Sequence, residues 1–265
     1  MSEHAEQLAV RLVQVRHEGE IAIVHLNNPA RRNAFSVRMR EQLYNHLLEI
    51  EGREDCRALV VTGAGGNFCA GGDISEMKRR GVLEARLRMD LPTRIFKLLV
   101  AGPKPFIAAV EGKVAGAGLS LVAASDYCIA ASDAGFSCAF MKMGLIPDVG
   151  GIWSLPRKIG HRRTMELCAL PEPFGAEKAL RMDLINKVCE PGRALEEAIE
   201  VARRFAKHPP IAMAMLKSAL AVGGDTLDQA TNTEIANLAV LMNSADYDEA
   251  VRAFNSRRKP GVNGD

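Results

Sequence analysis

The sequence has almost no surplus of either charge. It carries 34 lysines and arginines against 32 aspartates and glutamates, with a pI near 8.2. That leaves no global field to argue for a nucleic acid or a membrane surface as partner, so a phosphorylated ligand would be held by local charges. The six cysteines, at positions 56, 69, 128, 138, 168 and 189, show no C-x-x-C spacing. They read as buried thiols in a reducing cytoplasm and not as a metal framework. The histidines at 4, 17, 25, 46, 161 and 208 form no H-x-x-H or H-x-x-x-H pair, which argues against metal-assisted hydrolysis. No apolar run is long enough to span a bilayer, and Met1-Ser-Glu-His-Ala-Glu lacks the basic-then-apolar pattern of a secretory leader. The expectation is a cytoplasmic protein.

What is present fits a globular enzyme: 265 residues, 48% hydrophobic and 25% charged, are enough for a sizeable core. The stretch from Pro105 to Asp126 organises the rest. Phe106 to Val110 is an apolar run of strand length, Gly112 to Gly118 reads as a small-residue turn, and Leu119 to Ala124 as a buried helix. At such a helix start the first amides lack partners and the dipole is positive, so something negative can be held. Small residues there could equally serve only tight packing. A second cluster adds to the first: the strand Leu59 to Thr62 runs into Gly63-Ala-Gly-Gly-Asn-Phe-Cys-Ala-Gly-Gly-Asp-Ile74, with a helix expected from about Ser75. Two glycine turns could aim two backbone donors at one oxygen.

Phe68-Cys-Ala-Gly-Gly-Asp-Ile74 followed by Pro105-Phe-Ile-Ala-Ala-Val-Glu-Gly-Lys-Val-Ala-Gly-Ala-Gly118 resembles the paired motifs of the crotonase superfamily, the enoyl-CoA hydratase/isomerase family. The resemblance runs from about Val24 to the end of the chain. It implies an α/β fold, a spiral of ββα units over residues 1–193, and a helical oligomerisation region over 194–265. It further implies an acyl-CoA thioester substrate held by an oxyanion hole made from the amides of Gly72 and Ala117. Coenzyme A would enter as part of that substrate, with no separate cofactor and no metal. Implied contacts to it are Arg31, Arg32 and Ala34 in the turn Asn27-Asn-Pro-Ala-Arg-Arg-Asn-Ala34, and Ala70, Asp73 and Ile74 around the first motif. Phe254 and Lys259 near the carboxyl end would reach coenzyme A, often that of a neighbouring subunit in a homotrimer or dimer of trimers.

The remaining elements are read from patterning. Leu12 to Val15 and Ile21 to Leu26 form a hairpin turning at His17 to Glu20, and Ser36 caps a helix to about Glu51. The segment 75–99, partly helical and rich in charge and methionine, is where the resemblance places acyl selectivity. Tyr127 to Ala131, Phe136 to Phe140 and Leu184 to Val188 read as strands. Ile152 to Leu155 opens a helix broken by Pro156, with another over 162–170. Helices follow over 176–182, 194–208, 210–222, 226–242 and 244–254, with Pro209-Pro210 and Gly223-Gly224 as breakers.

Family hydratases use two glutamates, and their positions fall on Ser120 and Phe140 here. Without both carboxylates, ordinary syn-hydration loses the groups that activate water and deliver the proton. Asp148 remains, in Ile146-Pro-Asp-Val-Gly-Gly151. Some enoyl-CoA isomerases, and ring-epoxide isomerases with a similar stretch, carry a carboxylate at the matching position. One base suffices to move a double bond. Asp148 could instead merely cap the next helix, or act as a nucleophile as in aryl-CoA dehalogenases, although Phe140 stands where those enzymes place a Trp donor. A dinucleotide site fails because the sixth position of its fingerprint is Leu121 and no acid closes the next strand. A non-catalytic acyl-CoA binding protein is the rival from another class: loss of both glutamates fits it, and Asp148 beside a complete oxyanion hole opposes it.

Overall fold

A computed structural model describes residues 11–222, 224 and 226–261. The expected leader-free start, including His4, and Gly223 of the Gly223-Gly224 breaker lie outside the described residues. The chain opens with the expected hairpin of β1 (Val13–Glu18) and β2 (Ile21–Leu26), in register with Val13 opposite Leu26. Helix α1 (Val37–Glu51) follows, with Ser36 accepting from the Met39 amide as its cap. Then come β3 (Ala58–Gly63), α2 (Val82–Arg88), α3 (Asp90–Ala101), β4 (Phe106–Val110), β5 (Lys113–Ala115) and α4 (Ala117–Ala124). The second half contributes β6 (Tyr127–Ala131), β7 (Gly135–Ser137), α5 (Gly151–Ala169), β8 (Phe174–Gly175), α6 (Ala176–Arg181) and β9 (Lys187–Cys189). It closes with α7 (Ala194–Ala206), α8 (Pro210–Val222), α9 (Leu227–Leu241) and α10 (Ala245–Asn255).

Six strands form one sheet in the order β1-β2-β3-β4-β6-β9, parallel except for the hairpin, and β5-β7-β8 form a smaller sheet. Successive strands alternate between the two: β4 in the large sheet, β5 in the small one, then α4; β6, β7, then α5. An isolated parallel bridge from Cys69 to Val114 extends the small sheet back to the segment after β3. The unit that recurs is therefore strand, short strand, helix, stacked side by side.

Alternation along each strand of the large sheet feeds two cores. Ala22, Val24, Leu59, Val61, Phe106 and Ala108 face the main core with Met39, Leu43, Ile95 and Leu99 of α1 and α3. Ile21, Ile23, Val60, Ile107 and Ile129 face the other side, where α7 lays down Ala194, Ala198, Ile199, Ala202 and Ala206. With both faces covered, the strands read as continuous apolar runs. The expected division at 193/194 falls just before α7, the helix that covers this second face.

Several elements differ from expectation. Gly112 to Gly118 holds the strand β5, whose one inward side chain, Val114, pairs opposite Phe136. The helix expected from Ser75 is a single 3-10 turn, Ile74–Glu76, started by Asp73 accepting from the Ser75 amide. The strand expected over Phe136 to Phe140 ends at Ser137, and the one over Leu184 to Val188 is Lys187–Cys189, with Leu184 and Ile185 buried as core residues before it. The interruption of α5 falls at Gly160 (φ 77°, ψ 160°) and not at Pro156.

One structural anchor escaped the sequence reading. Lys217 on α8 is buried, donates to the Leu99 carbonyl at 2.9 Å and pairs with Asp126, which also accepts from the Phe106 amide at 2.7 Å. Burial lowers the Lys217 pKa, and Asp126 opposes that. A buried ammonium with both partners in place fixes α8 against the end of α3 and the start of β6.

Candidate active site

The two glycine motifs meet at the Cys69–Val114 bridge, where the Ala115 amide donates to the Cys69 carbonyl at 3.0 Å. Gly72 and Ala117 each lie three residues beyond the bridge, so they occupy equivalent places in adjacent units. Between bridge and amide the chain needs room and an unusual turn. Gly71 has φ +93°, and a Cβ on it would lie 2.9 Å from the Ala115 carbonyl oxygen and 3.5 Å from the Ala117 nitrogen. A Cβ on Gly118 would lie 2.3 Å from the Cys69 carbonyl oxygen, so only glycine lets the first turn of α4 sit directly on the bridge.

Peptide planarity then fixes where the amides point. The Gly71 carbonyl accepts from the Phe35 amide at 2.7 Å, so the Gly72 N–H of the same trans peptide faces the other way. The Gly116 carbonyl accepts from the Leu119 and Ser120 amides at 2.9 and 3.2 Å, the first bonds of α4, so the Ala117 N–H leaves the positive end of that helix. Neither amide has an acceptor among the described residues. Two neighbouring unpartnered donors on braced peptides can bind an oxygen as it gains negative charge.

Asp148 lies in the turn before α5. Gly151 closes that turn by donating to the Asp148 carbonyl at 2.8 Å, and a Cβ on Gly151 would come within 2.5 Å of the Ser120 hydroxyl and 2.8 Å of Pro147. The turn is thus seated against α4, the helix that begins at Ala117. The N-cap of α5 is Gly150, with no side-chain cap, so Asp148 does not cap the helix. Its Oδ1 and the Ser120 hydroxyl are buried without a hydrogen-bond partner among the described residues. Burial pushes the Asp148 carboxyl above its ordinary range, and the Arg40 guanidinium is the charge that opposes the shift. Cys69, fully buried, has its thiol pushed up to about 12 and stays neutral.

The positions expected to touch coenzyme A behave differently from one another. Arg31 is turned onto Asp73, with Nη1 3.1 Å from Oδ1, and onto the Ser75 hydroxyl at 2.7 Å, so two expected ligand contacts pair with each other. Burial raises the Asp73 pKa, but Ser75 and Arg31 outweigh it and leave the carboxyl below its ordinary value. Arg32 (φ 48°) offers its carbonyl to the Ala70 amide at 3.0 Å. Ala34 is buried, and Ile74 is exposed. Phe254 and Lys259 are exposed at the end of α10 and make no hydrogen bond or ion pair to this turn among the described residues.

Two residues of the site were missed from sequence. Asn33 (φ 57°) is fully buried and donates to the carbonyls of Ala64 and Asn67 at 2.9 and 2.6 Å, locking the turn to the loop after β3. Arg40 is buried and donates from Nε to the Phe35 carbonyl at 2.9 Å.

The chain has relatives among known proteins. A family model for enoyl-CoA hydratase/isomerase matches residues 16–264. The chain belongs to the enoyl-CoA hydratase/isomerase family. This family member is 36% identical over 256 residues to the 1,2-epoxyphenylacetyl-CoA isomerase of Escherichia coli K12, covering 93% of this chain and 96% of that protein. It is 32% identical over 249 residues to the short-chain-enoyl-CoA hydratase of Clostridium acetobutylicum, with 93% and 95% covered. Its fold matches the crystal structure of an enoyl-CoA hydratase from Polaromonas sp. JS666 with a TM-score of 0.89 at 32% identity, covering 95% of this chain and 99% of that one. The fold is therefore that of the crotonase superfamily, and the names of its relatives include isomerases, hydratases and a dehalogenase. No helix among the described residues is long and apolar enough to cross a membrane.

Proposed function

We propose that this family member is an acyl-CoA enzyme that moves a double bond, or rearranges a related ring, through a thioester enolate. The amides of Gly72 and Ala117 hold the enolate oxygen, and Asp148 carries the proton. The observation that supports this reading is Asp148 itself: a half-buried residue whose Oδ1 is buried without a partner, on a turn packed against the helix that begins at Ala117. Burial raises its pKa, which makes it a stronger base than an exposed aspartate, and a positioned base is worth roughly a hundredfold to ten-thousandfold. The base removes a proton alpha or gamma to the thioester, the two amides stabilise the resulting oxyanion, and the protonated acid delivers the proton to the other end of the allyl system. Ser120 and Phe140, where the glutamates of hydratases would stand, supply no second carboxylate. Hydration is the second reading, carried by the hydratase names among the relatives. A non-catalytic acyl-CoA binding protein has no use for a buried carboxyl oxygen left without a partner.

The residues expected to meet coenzyme A remain Arg31, Arg32, Ala34, Ala70, Asp73 and Ile74 on this chain. Phe254 and Lys259 fit a contact to coenzyme A on a neighbouring copy in a homotrimer or dimer of trimers. That assembly is favoured by α9, which has no buried residue and exposes Leu227, Ile235, Leu238 and Val240. The six free cysteines suit a reducing compartment such as the cytoplasm. Spectrophotometry with a panel of 2-enoyl, 3-enoyl and aromatic CoA thioesters tests the reading. Interconversion of 2- and 3-enoyl thioesters, or rearrangement of an aromatic one, is expected; water addition alone would favour the hydratase.

A further inference from the structure

Arg40 is an oddity of the sequence that the fold makes legible. It sits in the first turn of α1, between Met39 and Leu43 on the face that enters the main core, and is only 5% exposed. Its Nε donates to the Phe35 carbonyl at 2.9 Å, and its guanidinium lies 5.3 Å from the centre of the Phe35 ring. Its Nη1 is buried with no hydrogen-bond partner among the described residues. A buried cation left partly unpaired is strongly disfavoured unless something compensates its charge.

The charged and titratable groups that face Arg40 are Asp148, Glu76, Arg88 and the Cys69 thiol. Cys69 is neutral. Glu76 is already engaged, accepting from the Val37 amide at 3.1 Å and from Arg88 at 2.7 Å. That leaves Asp148 as the carboxylate whose charge answers Arg40, and Arg40 is in turn the cation that opposes the effect of burial on Asp148. No hydrogen bond joins the two: Arg40 Nη1 and Asp148 Oδ1 are each buried without a partner among the described residues. A second link runs through the backbone. Phe35, held at its carbonyl by Arg40, uses its amide to hold the Gly71 carbonyl at 2.7 Å, and that bond turns the Gly72 N–H toward the site.

We propose that Arg40 is a positioning residue of this site, one buried guanidinium that braces Phe35, and through it the Gly71–Gly72 peptide, while its positive charge favours the carboxylate form of Asp148. The inference rests on Asp148 being the base. Arg40 touches no reacting atom. It acts on Gly71–Gly72 through Phe35 and on Asp148 through its charge, which gives an arginine a reason to occupy the apolar face of α1.

The test uses Arg40→Met, which keeps the length and removes the charge, and Arg40→Lys, which keeps the charge and removes the fork. Thermal melting establishes that each folds. The acid limb of α-proton exchange is measured against pH, and the carboxyl carbon of Asp148 is titrated by NMR, a readout that needs no turnover. Arg40→Met is expected to move the acid limb and the NMR midpoint upward by about one pH unit, the lower end of what an opposite charge does to a carboxylate. Arg40→Lys is expected to leave both in place while kcat falls severalfold with little change in KM, because the brace on Phe35 is gone. A folded Arg40→Met with an unmoved midpoint, or an Arg40→Lys with undiminished kcat, overturns the proposal. Asp148→Asn is the control on the underlying reading. If it keeps full exchange, Asp148 is not the base and the functional reading fails; if it loses exchange while the Arg40 variants behave as wild type, only the role of Arg40 fails.

Discussion

Replacing Gly71 with alanine should damage chemistry out of proportion to its effect on stability. The new methyl would sit 2.9 Å from the Ala115 carbonyl oxygen, closer than a Cβ normally tolerates, and 3.5 Å from the Ala117 nitrogen. Ala115 cannot easily retreat, because its amide is bonded to Cys69 at 3.0 Å and the next amide, Gly116, to Ser137 at 3.1 Å. The Gly71–Gly72 peptide must therefore rotate, and its N–H leaves the place that the Phe35 bond gives it. An alanine at φ +93° also carries backbone strain of roughly 1–3 kcal/mol. For a domain of this size each kcal/mol lowers the melting temperature by about 2–4 °C. Loss of one oxyanion donor lowers kcat by about a hundredfold to a thousandfold. Gly19→Ala is the matched control: φ is +59°, no atom lies within 4 Å of the added methyl, and it sits in the turn between β1 and β2, outside both motifs. Melting and α-proton exchange should be measured on both. The expectation is a similar fall in melting temperature, with exchange lost only in Gly71→Ala. Equal exchange in the two folded variants would refute the claim that these backbone amides do the work.

Two further outcomes follow from the structure. Asp148→Asn should melt higher than wild type at neutral pH: the native carboxyl is raised above its ordinary 3.8, so the native state binds the proton more tightly. Stability is then lost as pH rises through that raised value, and an amide escapes the loss, so the gap should vanish below about pH 3. A gap that persists in acid, or has the opposite sign, would contradict the burial argument. A chain ended at Gly224 loses α9 and α10 with their exposed apolar residues. By sedimentation it should no longer form the wild-type oligomer, and it should bind coenzyme A more weakly; an unchanged oligomer with unchanged affinity would remove the tail from both roles.

The sequence shows most clearly what the backbone demands. Gly71 and Gly118 must be glycine for steric reasons, so the paired motifs could be read without any structure. The large sheet was legible because its strands are buried on both faces. β5 was not, since three residues with one inward side chain give no periodicity. The 3-10 turn at Ile74–Glu76 looked like a helix start because an aspartate followed by polar residues signals both. Arg40 did leave a signal that was passed over: it falls three residues before Leu43 and seven before Leu47, on the stripe that also carries Ile50. A charge on such a stripe asks for a partner. Phe254 and Lys259 could not be joined to the site by pattern, and a single chain leaves them exposed at the end of α10.

The central claim is that Asp148 moves the proton while two amides hold the oxyanion. Exchange of α-protons from a 3-enoyl-CoA in deuterated water, measured for wild type and Asp148→Asn beside hydration of the matching 2-enoyl-CoA, tests it most directly. Rapid exchange is expected in the wild type and a loss of roughly a hundredfold to ten-thousandfold in Asp148→Asn, with binding of the thioester retained. Efficient hydration that survives Asp148→Asn would contradict it and point to a hydratase whose water is activated by another group.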